Sequence, residues 1–63
     1  MRLTDFWERM QLAFGPHVES IAELHVLSEL GNRTPAQALA AGEPTADVWR
    51  AVCEGHDVPP RLR

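Results

Sequence analysis

The stretch Thr4-Asp5-Phe6-Trp7-Glu8-Arg9-Met10-Gln11-Leu12-Ala13-Phe14-Gly15-Pro16 decides the fold class. At about 100° per residue, Leu3, Phe6, Trp7, Met10, Ala13 and Phe14 fall on one stripe of a helix. Thr4, Asp5, Glu8, Arg9 and Gln11 fall off it, and Leu12 is the one large apolar residue on the far side. Thr4 has the hydroxyl of an N-cap residue. Asp5 and Glu8 suit the positive end of the helix dipole. Gly15-Pro16 stops the helix, because glycine takes a left-handed C′ position and proline disfavours helical geometry before it.

The same reasoning extends along the chain. A central helix is expected from about Pro16 to Leu30, with Val18, Ile21, Ala22 and His25 on one face and Leu24, Val26, Leu27 and Leu30 spread around the rest. Gly31-Asn32 supplies its stop. Thr34-Pro35-Ala36-Gln37 is a capping box with proline in the first turn, opening a short helix to Ala41 whose only large anchor is Leu39. A further helix runs from about Thr45 to Glu54 with Val48, Trp49, Val52 and Cys53 on one stripe, and Gly55 marks its end. The expectation is an all-α chain: a three- or four-helix bundle with short loops, one domain over residues 1–58 and a loose Pro/Arg tail over 59–63. Its expected core is Leu3, Phe6, Trp7, Met10, Phe14, Ile21, Ala22, Leu27, Leu30, Leu39, Val48, Trp49 and Val52.

Composition bounds the function. The chain has 63 residues, 44% apolar, which leaves room for one small core. One cysteine makes no internal disulfide. No run of about 18 apolar residues exists, so no membrane span is expected. Asp5, Glu8 and Arg9 interrupt any signal-peptide apolar region, which points to the cytoplasm. The formal charge is −3, all of it carried by residues 1–32; residues 33–63 balance four arginines against four acids. Duplex DNA binding draws most of its affinity from phosphate neutralisation, so this balance disfavours it.

Four stretches together carry a resemblance: Met1-Arg2-Leu3-Thr4-Asp5-Phe6-Trp7-Glu8-Arg9-Met10, His25-Val26-Leu27-Ser28-Glu29-Leu30-Gly31, Arg33-Thr34 with Ala38-Leu39-Ala40, and Val48-Trp49-Arg50-Ala51-Val52-Cys53. The chain resembles a short actinobacterial family catalogued as a domain of unknown function, number 3046. The resemblance runs from Met1 to the Val58-Pro59 region. It implies no activity and transfers no catalytic residue. The family's genes tend to lie near those for the recombinase and its regulator, an association that suggests DNA repair or its control. The use of arginine without lysine also fits a high-GC actinobacterial genome.

Several residue groups invite a chemical reading. Cys53 and His56, three apart, with His25 and either His17 or Asp57, name four zinc ligands on paper, but metal sites normally show paired spacings. The plainer expectation is that Cys53 packs as a small hydrophobe, that His56 caps the last helix as a cation, and that His25 is half-buried on the central helix. A Cys–His nucleophile would also need an orienting group, an oxyanion site and a pocket that so short a chain hardly offers. Residues 34–55 have the order of a helix-turn-helix, with Arg33, Gln37 and Arg50 as candidate DNA contacts, yet Glu43, Asp47 and Glu54 flank that surface. The acids Glu19, Glu23 and Glu29 form a solvated face or complement a basic partner. Leu12, Val26 and Leu62 are candidate exposed anchors.

The expected function is therefore a non-enzymatic interaction or regulatory module without a cofactor, binding another protein, with a homodimer allowed. The alternatives are a DNA-binding regulator acting through residues 34–55 and a weak metal-binding protein using Cys53, His56 and His25.

Overall fold

A computed structural model describes residues 1–63, and all its regular elements are helical, without a strand. The α-helices are α1 (Leu3–Phe14), α2 (Val18–Leu24), α3 (Pro35–Ala40) and α4 (Thr45–Gly55). Single 3-10 turns occupy Gly15–His17, Ser28–Leu30 and Pro60–Leu62. No helix is long and apolar enough to cross a membrane.

Helix α1 starts earlier than its threonine suggests. Arg2 is the N-cap residue, and its backbone N–H donates to Asp5 Oδ2 at 3.3 Å. Thr4 lies inside the helix and is exposed. The earlier start lets the Phe6 amide bond to the Arg2 carbonyl at 3.0 Å, which fixes the ring of Phe6 in the core. Phe6 and Met10 are fully buried, and Phe6 meets the rings of Trp7 and Trp49 edge-on, with centroids 5.1 and 6.1 Å away.

The expected central helix over residues 16–30 is broken. Helix α2 ends at Leu24, and His25 turns extended at φ −88° and ψ 110°. On one continuous helix Leu30 would point about 180° from Ile21, so both could not enter one small core. The chain breaks instead, and Ile21, Ala22, Leu27 and Leu30 all reach the same interior. Leu27 closes the excursion: its N–H bonds to the Arg33 carbonyl, and its carbonyl accepts from the Leu30 and Asn32 amides, each at 3.0 Å. The reversal needs two consecutive left-handed residues, Gly31 at φ 68° and Asn32 at φ 63°, which glycine and asparagine tolerate best. The side chain of Leu27 then settles on Gly55 in the last turn of α4. A methyl added at Gly55 would sit 2.7 Å from Leu27 Cδ2. Gly55 is thus both the last residue of α4 and a point of close approach.

Helix α4 carries the largest share of the core through Val48, Trp49, Ala51, Val52 and Cys53. Helix α3 presents Ala38, fully buried, while Leu39 is half-buried. Ala38, Ala51 and Val58 join the core beyond the residues the stripes select, and Cys53 packs there as expected. Leu3 and Trp7 leave it, at 52% and 37% exposure. Trp7 sits on the flank of the stripe and Leu3 is the first residue of the helix, and the core is too small to cover the whole stripe. Phe14 packs against the core half-buried.

The tail is docked. The Trp49 indole N–H donates to the Leu62 carbonyl at 3.1 Å, Val58 is buried, and Leu62 is half-buried against the core. The expectations of a loose segment 59–63 and an exposed Leu62 both give way to this turn. Buried Trp49 needs a partner for its N–H, and the tail's prolines fix a backbone that supplies one. Leu12 and Val26 are exposed at 62% and 58%.

The two tryptophans therefore separate in a stability experiment. Trp49→Ala removes a buried ring and its bond to the tail and is expected to cost about 3–5 kcal/mol, enough to unfold so small a domain. Trp7→Ala is expected to cost far less and to keep a cooperative melt. Thermal denaturation followed by far-UV circular dichroism distinguishes them; equal losses would contradict the exposed placement of Trp7.

Candidate functional site

The helix-turn-helix-like surface comes first, because the sequence singles out its residues. Thr34 and Gln37 form the expected box: the Gln37 amide donates to Thr34 Oγ1 at 3.1 Å, and the Thr34 amide to Gln37 Oε1 at 2.9 Å. The Gln37 side chain is thereby occupied in the cap. Arg33 donates through Nε to the Leu30 carbonyl at 2.8 Å, and its Nη2 lies 3.4 Å from Glu43. Arg50 pairs with Asp47 at 3.1 Å. Between α4 and the Ser28–Leu30 turn is an open hollow of about 290 Å³ whose rim carries Glu29, Glu43, Asp47 and Glu54 against Arg50 alone. The fold thus brings the acids of this surface together and ties both arginines to acidic neighbours. Such a surface repels phosphate.

The candidate metal ligands separate. Cys53 is buried on α4, and no group of three or more His, Cys, Asp or Glu side chains is placed to hold a metal ion. Burial pushes the Cys53 thiol above its ordinary range, against the opposing fields of Arg63 and Arg9 and with a smaller contribution from Glu54. The thiol stays protonated, the opposite of what a nucleophile requires.

His25 and His56 do meet. Their ring centroids are 5.2 Å apart, and the edge of Phe14 covers His56 at 5.3 Å. His25 is exposed and lies beyond α2, not half-buried on a helix face. His56 is half-buried, and its Nε2 is enclosed without a hydrogen-bond partner. Burial lowers its pKa, and the neighbouring His25 lowers it further. Burial and the neighbouring His25 thus favour the neutral imidazole at the end of α4 over the cationic cap its position suggests.

One hollow carries no signature in the sequence. It is open, about 360 Å³, and lies beside α4 where the two ends of the chain converge. Trp49, Cys53, Ala46 and Met1 line it with Arg9 and Arg63. Arg9 is half-buried and makes no hydrogen bond or ion pair. Arg63 donates to the Val58 and Cys53 carbonyls at 3.3 and 3.5 Å. Arg9 reads in the sequence as one more polar residue off the α1 stripe, and the docked tail brings a second arginine to it.

The depressed His56 has a pH consequence. The unfolded chain accepts a proton at ordinary histidine pH, about 6.5, before folded His56 does. Its contribution to stability is full above that range and is lost as pH falls through the folded value. The melting temperature of the wild-type chain is expected to drop between pH 7.5 and 5.5, and His56→Gln to flatten that segment of the profile. An unchanged slope in His56→Gln would contradict the assignment.

No curated protein and no solved structure matches the chain. A family model does, over residues 1–61: the chain belongs to the family described as a protein of unknown function, DUF3046.

Proposed function

We propose that this chain is a non-enzymatic module that acts by docking on another protein. The observation that carries the reading is the pair Leu3 and Trp7, one helical turn apart on α1 and left exposed at 52% and 37%. Trp7 makes no hydrogen bond through its indole N–H, although its ring packs on Phe6. A rigid aromatic anchored on one edge, with an unused donor on the other, is the kind of side chain that dominates protein interfaces. The occupant of this face is a partner protein; a second copy of the chain is the simplest variant.

Two further features support a protein over a nucleic acid. Arg33 and Arg50 are engaged by Glu43 and Asp47. Gln37 is committed to its cap. The reading also assigns Cys53 no catalytic work, since a protonated, buried thiol is a poor nucleophile.

Site-specific photo-cross-linking in the native host tests the reading. A photoreactive phenylalanine analogue at Leu3 or Trp7 is expected to give discrete protein adducts, and the same group at exposed Glu19 on α2 none; an adduct of twice the chain's mass would identify the second copy. Cross-links to nucleic acid alone, or equal adducts from all three positions, would contradict it.

A further inference from the structure

We propose that the hollow between Arg9, α4 and the docked tail binds a short acidic peptide segment bearing one apolar side chain. The inference rests on the interaction-module reading and adds the chemistry of the partner. Arg9 supplies the first argument. A guanidinium that has lost part of its hydration and gained no acceptor carries a standing cost, which a carboxylate would relieve. Arg63 supplies the second. Its two contacts are long, they use only part of its five-donor fork, and the rest is free to meet an anion. Both arginines line the same hollow beside Cys53, so two cations share one small site.

The floor supplies the third argument. Trp49, Ala46, Cys53 and Met1 are apolar or weakly polar, so the site offers cover for an aliphatic or aromatic side chain between its cations. Its volume, about 360 Å³, is at the small end of the range of ~300–1,000 Å³ typical of ligand clefts. One anchoring side chain with flanking carboxylates fits that scale. The remaining polar residues on this rim are Arg50, already paired with Asp47, and Glu54.

Charge complementarity then selects the occupant. The chain as a whole is −3, so an acidic partner gains most where two cations converge. A nucleic-acid backbone would suffer the opposite fate. Beyond Arg50 it would run at once into the hollow rimmed by Glu29, Glu43, Asp47 and Glu54. A short segment meets only Glu54 of those acids.

The test is an NMR titration of the full, isotope-labelled chain with three capped peptides of equal length. One is Asp/Glu-rich with a central Leu, one replaces Leu by Ser, and one replaces the acids by Asn and Gln. The acidic Leu peptide is expected to shift the Trp49 indole, the Arg9 and Arg63 Nε–H and the Cys53 amide. The other two peptides, and the acidic Leu peptide on Arg9→Gln, are each expected to bind about tenfold more weakly, the loss of one charge-assisted hydrogen bond or one anchor. Arg9 makes no hydrogen bond or ion pair within the fold, and an unchanged melting curve certifies that Arg9→Gln folds. Binding that survives in Arg9→Gln, equal binding of the neutral peptide, absent shifts, or stronger displacement of the same resonances by a short DNA duplex would each overturn the proposal. Adducts at Leu3 and Trp7 without peptide binding would sink this site and leave the docking module standing; peptide binding without those adducts would uphold this site and sink the Leu3 and Trp7 face.

Discussion

Leu27 turns inward, and much of the molecule follows from that turn. Its amide exchanges a helical partner for the carbonyl of Arg33, and its side chain settles on Gly55 at the end of α4. The loop closed between Leu27 and Arg33 sets the direction in which the chain enters α3. It also places the Arg33 guanidinium between the Leu30 carbonyl and Glu43. The breaking of one helix thus fixes the packing of α3 on α4 and the ionic state of the surface above them. Gly55 is the reciprocal requirement: any side chain there would contest the space that Leu27 fills.

The elements legible in the sequence are those whose local signals agree. The stop at Gly15-Pro16, the Thr34–Gln37 box and the stripe of α4 each combine an apolar period with a cap or a breaker, and they fold as written. Residues 16–30 failed because their apolar residues surround the helix. That pattern is satisfied equally by a helix contacted on all sides and by a chain that breaks to bring each residue to one core. With so few elements available to surround it, the second solution wins. Periodicity also selects a stripe, not its centre, so Phe6 and Trp7 looked equivalent until packing buried one and left the other at the margin.

The candidate surfaces were legible only in part. Arg33 and Arg50 could be named as phosphate contacts, and their acidic neighbours as a warning, from composition alone. Their pairing is a matter of a few ångströms that the sequence does not encode locally. His25 and His56 were singled out for a metal, but they approach as a partly enclosed pair without a third ligand. Arg9 and Arg63 belong to opposite ends of the chain, and they converge because Trp49 holds the tail through the Leu62 carbonyl. A charge count by halves of the sequence averages such a site away. The result is an arginine pair in one hollow and a mostly acidic rim around the next, in a chain of modest net charge.

The claim on which the account turns is the inward, extended geometry at Leu27. Backbone chemical shifts and amide hydrogen exchange of residues 23–33 test it most directly. Extended shifts at His25 and Leu27, with the Leu27 amide protected to the same degree as those of Val48 and Val52, are the expected result. Helical shifts running unbroken from Val18 to Leu30, or a Leu27 amide exchanging as fast as the chain surface, would contradict it.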